Sequence, residues 1–299
     1  MQRILFHLPL GDGIPVYGYG LFLMLGFLAA LALACWRAAS RGISRDSVMD
    51  VGLISIIAGV VGARLAFLLI DYLPDEGASG PAEWFAVWNG GLTLQGGLVL
   101  AIPMVWLYLV WKKIPVGKML DIYAPALATG IGLGRIGCLM NGCCWGKPAP
   151  AGFPLGITFP PEIYPMAYQD EMAANWLEEW VSLLVSLGYP LDTSPPIHLY
   201  PTQIISALAL FLIAISLIVA EKKWPHPDGQ VVLWFIFSYS LFRFFIEFWR
   251  DDTPLRYSFG AFPGLRLGQW LALAMFLVGL FFQARLRWRQ APPPQAGQG

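Results

Sequence analysis

The amino-acid sequence predicts an all-α polytopic membrane protein with seven transmembrane helices and a small outer-face head between helices four and five. Three observations predict this fold: the composition, seven long apolar segments and the placement of the cationic residues. Of the 299 residues, 57% are apolar and only 13% are charged, whereas soluble domains are about 25% charged. The formal net charge is zero, so the chain has no general electrostatic basis for binding nucleic acid.

Seven apolar segments are long enough to cross the hydrocarbon layer as helices, which takes about 20 residues each. In chain order they cover residues 15–36, 51–70, 90–111, 119–139, 200–220, 230–249 and 267–283. The first segment lacks a small-residue cleavage site and is followed by six others, so we expect a retained helix and not a removed signal peptide. Residues 1–290 then form a single transmembrane domain.

The distribution of Lys and Arg predicts the orientation of these helices, because cationic residues of short loops stay in the cytoplasm. Of the 19 cationic residues, eleven follow the first, third, fifth and seventh segments: Arg37, Arg41, Arg45, Lys112, Lys113, Lys118, Lys222, Lys223, Arg285, Arg287 and Arg289. Residues 71–89 contain none, and residues 141–199 contain only Lys147. We therefore expect a multi-pass membrane protein with its N-terminus on the outer face and its C-terminus in the cytoplasm.

The connection formed by residues 141–199 is longer than an ordinary loop, and long connections are usually functional or disordered. It is rich in proline and carries an acidic stretch near residues 176–180. We expect it to form a periplasmic head with one short helix near residues 171–187. The proline-rich residues 291–299 are expected to be a disordered cytoplasmic tail.

Among the ionisable residues inside the apolar segments, four are functional candidates: Arg64, Arg135, Arg243 and Glu247. Such residues usually face a polar cavity or the bundle interior and are functional candidates. Tyr239, Arg243, Glu247 and Arg250 also follow helical spacing and share one stripe of the sixth segment.

Two interpretations of these charges remain open. Arg243 and Glu247 could pair only to stabilise helix packing, and Arg64 and Arg135 could snorkel to the outer interface. However, three guanidinium groups with one carboxylate leave net positive charge, and guanidinium matches phosphate oxygens. An anionic phospholipid headgroup is therefore the ligand we expect.

Glycines crowd the start of the third segment, where Gln95 precedes Gly96 and Gly97. Small residues usually allow close helix packing in membranes. Glycine also lets a headgroup touch the backbone, and the polar Gln95 between glycines favours that second interpretation.

Together these residues resemble the prolipoprotein diacylglyceryl transferase family, from about residue 17 to residue 283. The resemblance rests on the order and spacing of several segments: Tyr19-Gly20-Leu21, Gly62-Ala63-Arg64, Trp88-Asn89-Gly90-Gly91, Gln95-Gly96-Gly97, Gly134-Arg135-Ile136-Gly137, Asn141-Gly142, Trp145-Gly146, Tyr200-Pro201-Thr202-Gln203, Phe242-Arg243-Phe244-Phe245-Ile246-Glu247-Phe248, Arg250 and Gly268-Gln269. It implies an enzyme that moves diacylglycerol from phosphatidylglycerol to the lipobox cysteine of a prolipoprotein signal peptide, within the lipid bilayer. We expect no cofactor and no metal.

The sequence departs from the family pattern at three positions. Cys138 stands where the family signature has Asn, Cys143 where it has Glu, and Gln95 where a His usually precedes the paired glycines. A mechanism that relies on that His therefore cannot be carried over to this chain. The headgroup-binding residues match the family pattern better than the proton-transfer residues do.

The resemblance implies that a cysteine thiol displaces the phosphate from a glycerol carbon, which requires a thiolate and a stabilised leaving group. We expect Arg135 and Arg243 to clamp the phosphate, Glu247 to orient Arg243, and Arg250 to assist at the rim. The remaining catalytic candidates are Gln95 and Tyr19, and the remaining substrate-binding candidates are Arg64, Asn141, Gly96, Gly97, Cys138 and Cys143.

The cluster of Cys138, Cys143 and Cys144 has four possible interpretations. A structural disulfide is the first, because the outer face is oxidising. Plain packing, a zinc site with His198 and a redox role are the others. Cys35 is expected to be a packing residue. At the level of the whole protein, the alternatives are another lipid donor or thiol acceptor, a non-catalytic phospholipid carrier, and a thiol oxidoreductase.

Overall fold

The computed structural model describes residues 4–8, 14–72, 91–150, 153–159, 185–187, 198–250 and 265–290. The chain begins with two antiparallel strands, β1 (Ile4–Leu8) and β2 (Ile14–Tyr17). The long helices in the described ranges follow in this order: α1 (Gly18–Ala38), α2 (Arg45–Phe67), α3 (Leu94–Trp111), α4 (Val116–Asn141), α5 (Thr202–Lys223), α6 (Gln230–Ile246) and α7 (Leu267–Gln290).

Seven helices are long and apolar enough to cross a membrane, which confirms the predicted fold class. The predicted start of the first helix, at residue 15, is wrong. Residues 14–17 belong to β2, and α1 begins at Gly18. The cause is the pairing of Val16 with Phe6, because β-branched and aromatic side chains favour strands. Most of the helix expected near residues 171–187 and all of the tail 291–299 lie outside the described residues.

The helices present apolar side chains outward and keep their polar groups bonded inward, as a bilayer requires. Large apolar residues such as Ile102, Leu212 and Phe281 are more than 60% exposed. The hydroxyls of Ser55 and Thr129 instead donate to the carbonyls of Val51 and Pro125 four residues earlier, at 2.7 and 2.9 Å. Such back-bonding satisfies hydroxyls that water does not reach.

The chain divides into two compact units: Leu31–Tyr123, and Met1–Ala30 with Ala124–Gly299. In the first of these, which we call the α2–α3 unit, helices α2 and α3 touch through glycines. A Cβ on Gly96 would overlap the backbone of Gly62 and the side chain of Ala66, and one on Gly97 would lie 2.9 Å from the carbonyl oxygen of Gly59. The close-packing interpretation of these glycines therefore has a direct structural basis.

A leucine at position 96 is expected to force α2 and α3 apart. Overpacking of this kind costs about 1–3 kcal/mol, so Gly96→Leu should lower the melting temperature of the detergent-purified protein. Gly59→Leu is the control of equal size, because a Cβ at Gly59 meets nothing within 4 Å. Equal melting temperatures for the two variants would show that this contact does not hold the unit together.

The second unit, which we call the α4–α7 unit, carries most of the predicted site. Its core is apolar and lies between α4, α5 and α6, and its members are Ala124, Ala128, Leu210, Ala214, Leu217, Val231 and Phe235. The first turns of α1 also cross α4 closely, since a Cβ on Gly26 would lie 2.8 Å from the carbonyl oxygen of Gly130. This crossing brings Tyr19 to the end of α4. A Cβ on Gly137 would lie 3.2 Å from the carbonyl oxygen of Tyr19.

Candidate active site

The centre of the candidate site is an ion pair at the end of α6. Arg243 Nη1 lies 2.5 Å from Glu247 Oε2, one helical turn away. The Nε atom of Arg250 lies 3.8 Å from the same oxygen. Glu247 is 1% exposed, so this carboxylate depends on its cationic neighbours. Three of the four residues of the stripe predicted from helical spacing therefore lie together, although α6 ends at Ile246 and Arg250 has extended backbone.

The start of α7 closes one side of this ion pair. A Cβ on Gly268 would lie 2.7 Å from both Arg243 Nη2 and Glu247 Oε1, so only glycine fits there without displacing the pair. The guanidinium of Arg266 donates to the backbone carbonyl of Arg250, and the amide of Gln269 donates to the carbonyl of Phe244 at 3.4 Å.

Sequence reasoning quoted Gly268 and Gln269 only as part of the resemblance, and it missed Arg266. The available signal for Arg266 was a cation directly before the seventh apolar segment. That position gives no reason to expect a contact with Arg250, which the fold alone supplies.

Arg135 adds a third guanidinium to this region of the α4–α7 unit. It lies within electrostatic range of Arg243 on one side and of Tyr19 on the other. It is half-buried and has no ion-pair partner in the described part of the chain. In the described part of this region, Arg135, Arg243 and Arg250 therefore outnumber the one carboxylate that pairs with any of them, and the surplus positive charge favours an anion.

The segment that follows α4 pairs with the residues just before α5 and with those just after α6. Gly146 pairs with Arg250, and Pro148 with Leu199, in isolated antiparallel bridges. The amide of Lys147 donates to the carbonyl of Trp249 at 2.8 Å. These backbone bonds fix Arg250 beside the end of α4, although the two segments are about a hundred residues apart in the sequence.

Three cysteines gather at the end of α4. The sulfur atoms of Cys138, Cys143 and Cys144 all lie within 4.8 Å of one another. All four cysteines of the chain are thiols and none forms a disulfide, so the expected structural disulfide is not present. His198 does not join this group of potential metal ligands among the described residues, so the interpretation as a zinc site that includes His198 has no support there.

The remaining candidates divide between the two units. Asn141 is half-buried and ends α4. Arg64, Gln95, Gly96 and Gly97 belong to the α2–α3 unit.

Within the α2–α3 unit, Arg64 donates to the carbonyl oxygen of Gly91 at 3.1 Å and lies 5.3 Å from the ring centre of Phe67. Gln95 is exposed beside a mostly apolar groove between α2 and α3. The structure thus brings Tyr19, Arg135, Cys138, Cys143, Arg243, Glu247 and Arg250 into one unit.

Comparison with known proteins identifies the family to which this chain belongs. A sequence profile described as prolipoprotein diacylglyceryl transferase matches residues 3–285. A phosphatidylglycerol–prolipoprotein diacylglyceryl transferase of Clostridium tetani is 30% identical over 94% of this chain and 96% of its own length. The enzymes of the same name from Azoarcus sp. and Burkholderia cenocepacia are 32% and 30% identical, over 89% of both chains in each case. This chain therefore belongs to the prolipoprotein diacylglyceryl transferase family.

Proposed function

We propose that this protein transfers the diacylglyceryl group of phosphatidylglycerol to the lipobox cysteine thiol of a prolipoprotein. The reaction forms a thioether and releases glycerol phosphate. Membership of the family supports this activity. The single structural observation that carries the proposal is the surplus of guanidinium groups over carboxylate around Glu247, in a helix long and apolar enough to span the membrane.

The chemistry of the leaving group explains why this surplus is needed. As the carbon–oxygen bond to the phosphate breaks, negative charge grows on the phosphate oxygens, and fixed cations stabilise that charge. Arg135 has no carboxylate partner among the described residues, so its donors remain available for phosphate. Arg243 and Arg250 share the carboxylate of Glu247, and the ion pair with Glu247 holds the guanidinium of Arg243 in a fixed direction. We assign the clamping of the phosphate to Arg135 and Arg243. Arg250 assists them at the rim of the site.

The other site residues have supporting roles in this proposal. Tyr19 lies near both Arg135 and the cysteine cluster, so its hydroxyl is placed to contact the acceptor peptide or the glycerol. Asn141, at the end of α4, is the candidate for hydrogen-bonding the headgroup. Roles for Arg64, Gln95, Gly96 and Gly97 stay predictions. We also propose that the enzyme lies in a bacterial inner membrane with its N-terminus in the periplasm.

A direct assay tests this function. Purified protein, phosphatidylglycerol and a lipobox peptide are expected to give a peptide whose mass has increased by one diacylglycerol. A peptide with serine in place of the lipobox cysteine should give no product, because a hydroxyl is a far weaker nucleophile than a thiolate. Binding of phosphatidylglycerol without any product would contradict the transferase and favour the carrier.

A further inference from the structure

The cysteine cluster is the part of the described structure that the proposed function leaves unexplained. Three thiols, from Cys138, Cys143 and Cys144, lie within 4.8 Å of one another, and all three are half-buried. We propose that they form a three-thiolate site for a thiophilic divalent metal ion, with an open position for the acceptor thiol. The role of the open position, which is to bind the acceptor thiol, rests on the proposed function.

The backbone holds the three side chains together in a specific way. After α4, Gly142 and Cys144 both have positive φ angles, of 72° and 62°. A residue other than glycine rarely adopts this conformation, which costs about 1–3 kcal/mol and persists only where surrounding contacts enforce it. The reversal of the chain directs Cys143 and Cys144 back toward Cys138, which lies one turn before the end of α4.

The first turn of α5 enforces this conformation through hydrogen bonds. The hydroxyl of Thr202 donates to the carbonyl of Cys144 at 3.0 Å, and the amide of Gln203 donates to the carbonyl of Cys143 at 2.8 Å. Both side chains are 1% exposed. The amide of Cys143 also donates to the carbonyl of Cys138 at 3.1 Å. These bonds position the cluster before any ligand arrives.

The geometry fits a metal ion better than a disulfide. A disulfide would use two sulfur atoms and give no reason for the third to converge. Zinc–sulfur bonds of about 2.3 Å in a tetrahedral site place the sulfur atoms about 3.8 Å apart. Small changes of side-chain torsion bring three sulfur atoms from within 4.8 Å to that spacing. Thiolates also select soft and borderline metals such as zinc.

The charges around the cluster suit such a site. Three thiolates and one divalent ion carry a net charge of −1. Arg135 precedes Cys138 by three residues on α4, so both lie on one face of the helix. Tyr19 interacts electrostatically with Arg135 and with all three thiols. Arg135 therefore offsets part of the negative charge of the metal-bound cluster, while its guanidinium donors stay available for phosphate.

Three protein ligands leave one tetrahedral position open, which is the arrangement of catalytic and not of structural zinc sites. No His, Asp or Glu completes the group among the described residues. The acceptor thiol can take this position, and a coordinated thiol is deprotonated. Its proton passes to solvent, its sulfur lone pair forms the carbon–sulfur bond, and the carbon–oxygen bond electrons leave on the phosphate. The amide of Gln95 cannot accept that proton, so the metal supplies the missing activation.

Cobalt titration of the detergent-purified, chelator-stripped protein tests the site itself. We expect about one Co²⁺ per chain, with thiolate-to-cobalt charge-transfer absorption. The Cys138→Ser/Cys143→Ser/Cys144→Ser variant should lose this absorption, and the Cys35→Ser control should keep it. No absorption in the wild-type protein, or equal absorption in the triple variant, would overturn the proposal.

A second titration tests the open position without relying on catalysis or on any variant. A lipobox peptide added to the cobalt-loaded wild-type protein should raise the charge-transfer absorption by about one third, since four thiolates replace three. The same peptide with serine at the lipobox should leave it unchanged. An equal response to both peptides would exclude coordination of the acceptor thiol.

The transfer assay on the same preparations separates this inference from the proposed function. At pH 7 an ordinary cysteine is only a few per cent thiolate, so zinc-loaded protein should transfer about tenfold faster than stripped protein. Equal rates would overturn the activation step and leave the transferase standing. Cobalt binding without transfer by any preparation would uphold the metal site and exclude the transferase.

Discussion

Arg243→Ala is expected to reduce diacylglyceryl transfer by about 100-fold to 1,000-fold, which is the usual effect of removing one donor aimed at developing negative charge. The same substitution should destabilise the protein by about 3–5 kcal/mol, because it removes a partner of a buried carboxylate. Glu247 is 1% exposed, and the 2.5 Å contact with Arg243 is its shortest ion pair among the described residues. Transfer rates and thermal unfolding in detergent measure the two effects.

A double variant separates the effect on folding from the effect on chemistry. Arg243→Gln/Glu247→Gln places two neutral amides where the charges were, so no carboxylate is left buried. It should recover most of the lost stability and none of the lost activity. Arg285→Ala is the control for general loss of a cation, because Arg285 is exposed on the last turns of α7. Full activity of a folded Arg243→Ala protein would exclude the clamp.

Arg135→Ala is expected to lower transfer by a similar factor, about 100-fold to 1,000-fold, while leaving the melting temperature almost unchanged. The difference from Arg243 follows from its surroundings. Arg135 has no ion-pair partner in the described ranges, so its removal leaves no carboxylate unpaired. It also relieves repulsion with Arg243.

Arg135→Lys tests the geometry of the contact. Lysine keeps the charge and loses the planar pair of donors, so its transfer rate should lie between those of wild type and Arg135→Ala. A melting temperature for Arg135→Ala that falls as far as that of Arg243→Ala would identify Arg135 as a structural residue. Equal rates for Arg135→Lys and wild type would show that charge alone matters at this position.

The sequence predicted the transmembrane helices well because their signal is local. Each helix satisfies its own backbone hydrogen bonds, so a run of about 20 apolar residues is sufficient to identify it. The same reasoning failed at residues 14–17, where an apolar run continues into β2. A strand needs a partner elsewhere in the chain, and the pairing of Ile14 with Leu8 is not visible in the run itself.

The candidate site was likewise predictable only where its contacts are local in the sequence. Helical spacing predicted that Arg243, Glu247 and Arg250 lie together, and both cations are within ion-pair distance of Glu247, although α6 itself ends at Ile246. Spacing gave no information on Gly268, whose missing side chain makes room for that ion pair. The predicted position at the oxidising outer face favoured a disulfide for the cysteine cluster, where the structure has three convergent thiols.

By itself the sequence determined which segments enter the membrane and which of their residues carry costly charges, because both properties belong to single helices. Only the tertiary structure decided that Gly268 makes room for the ion pair of Arg243 with Glu247, and that three thiols meet at the end of α4. The physical reason is that the bridge between Gly146 and Arg250 and the hydrogen bonds from Thr202 and Gln203 join distant segments of the chain. Such contacts depend on the fold as a whole, and no local pattern encodes them.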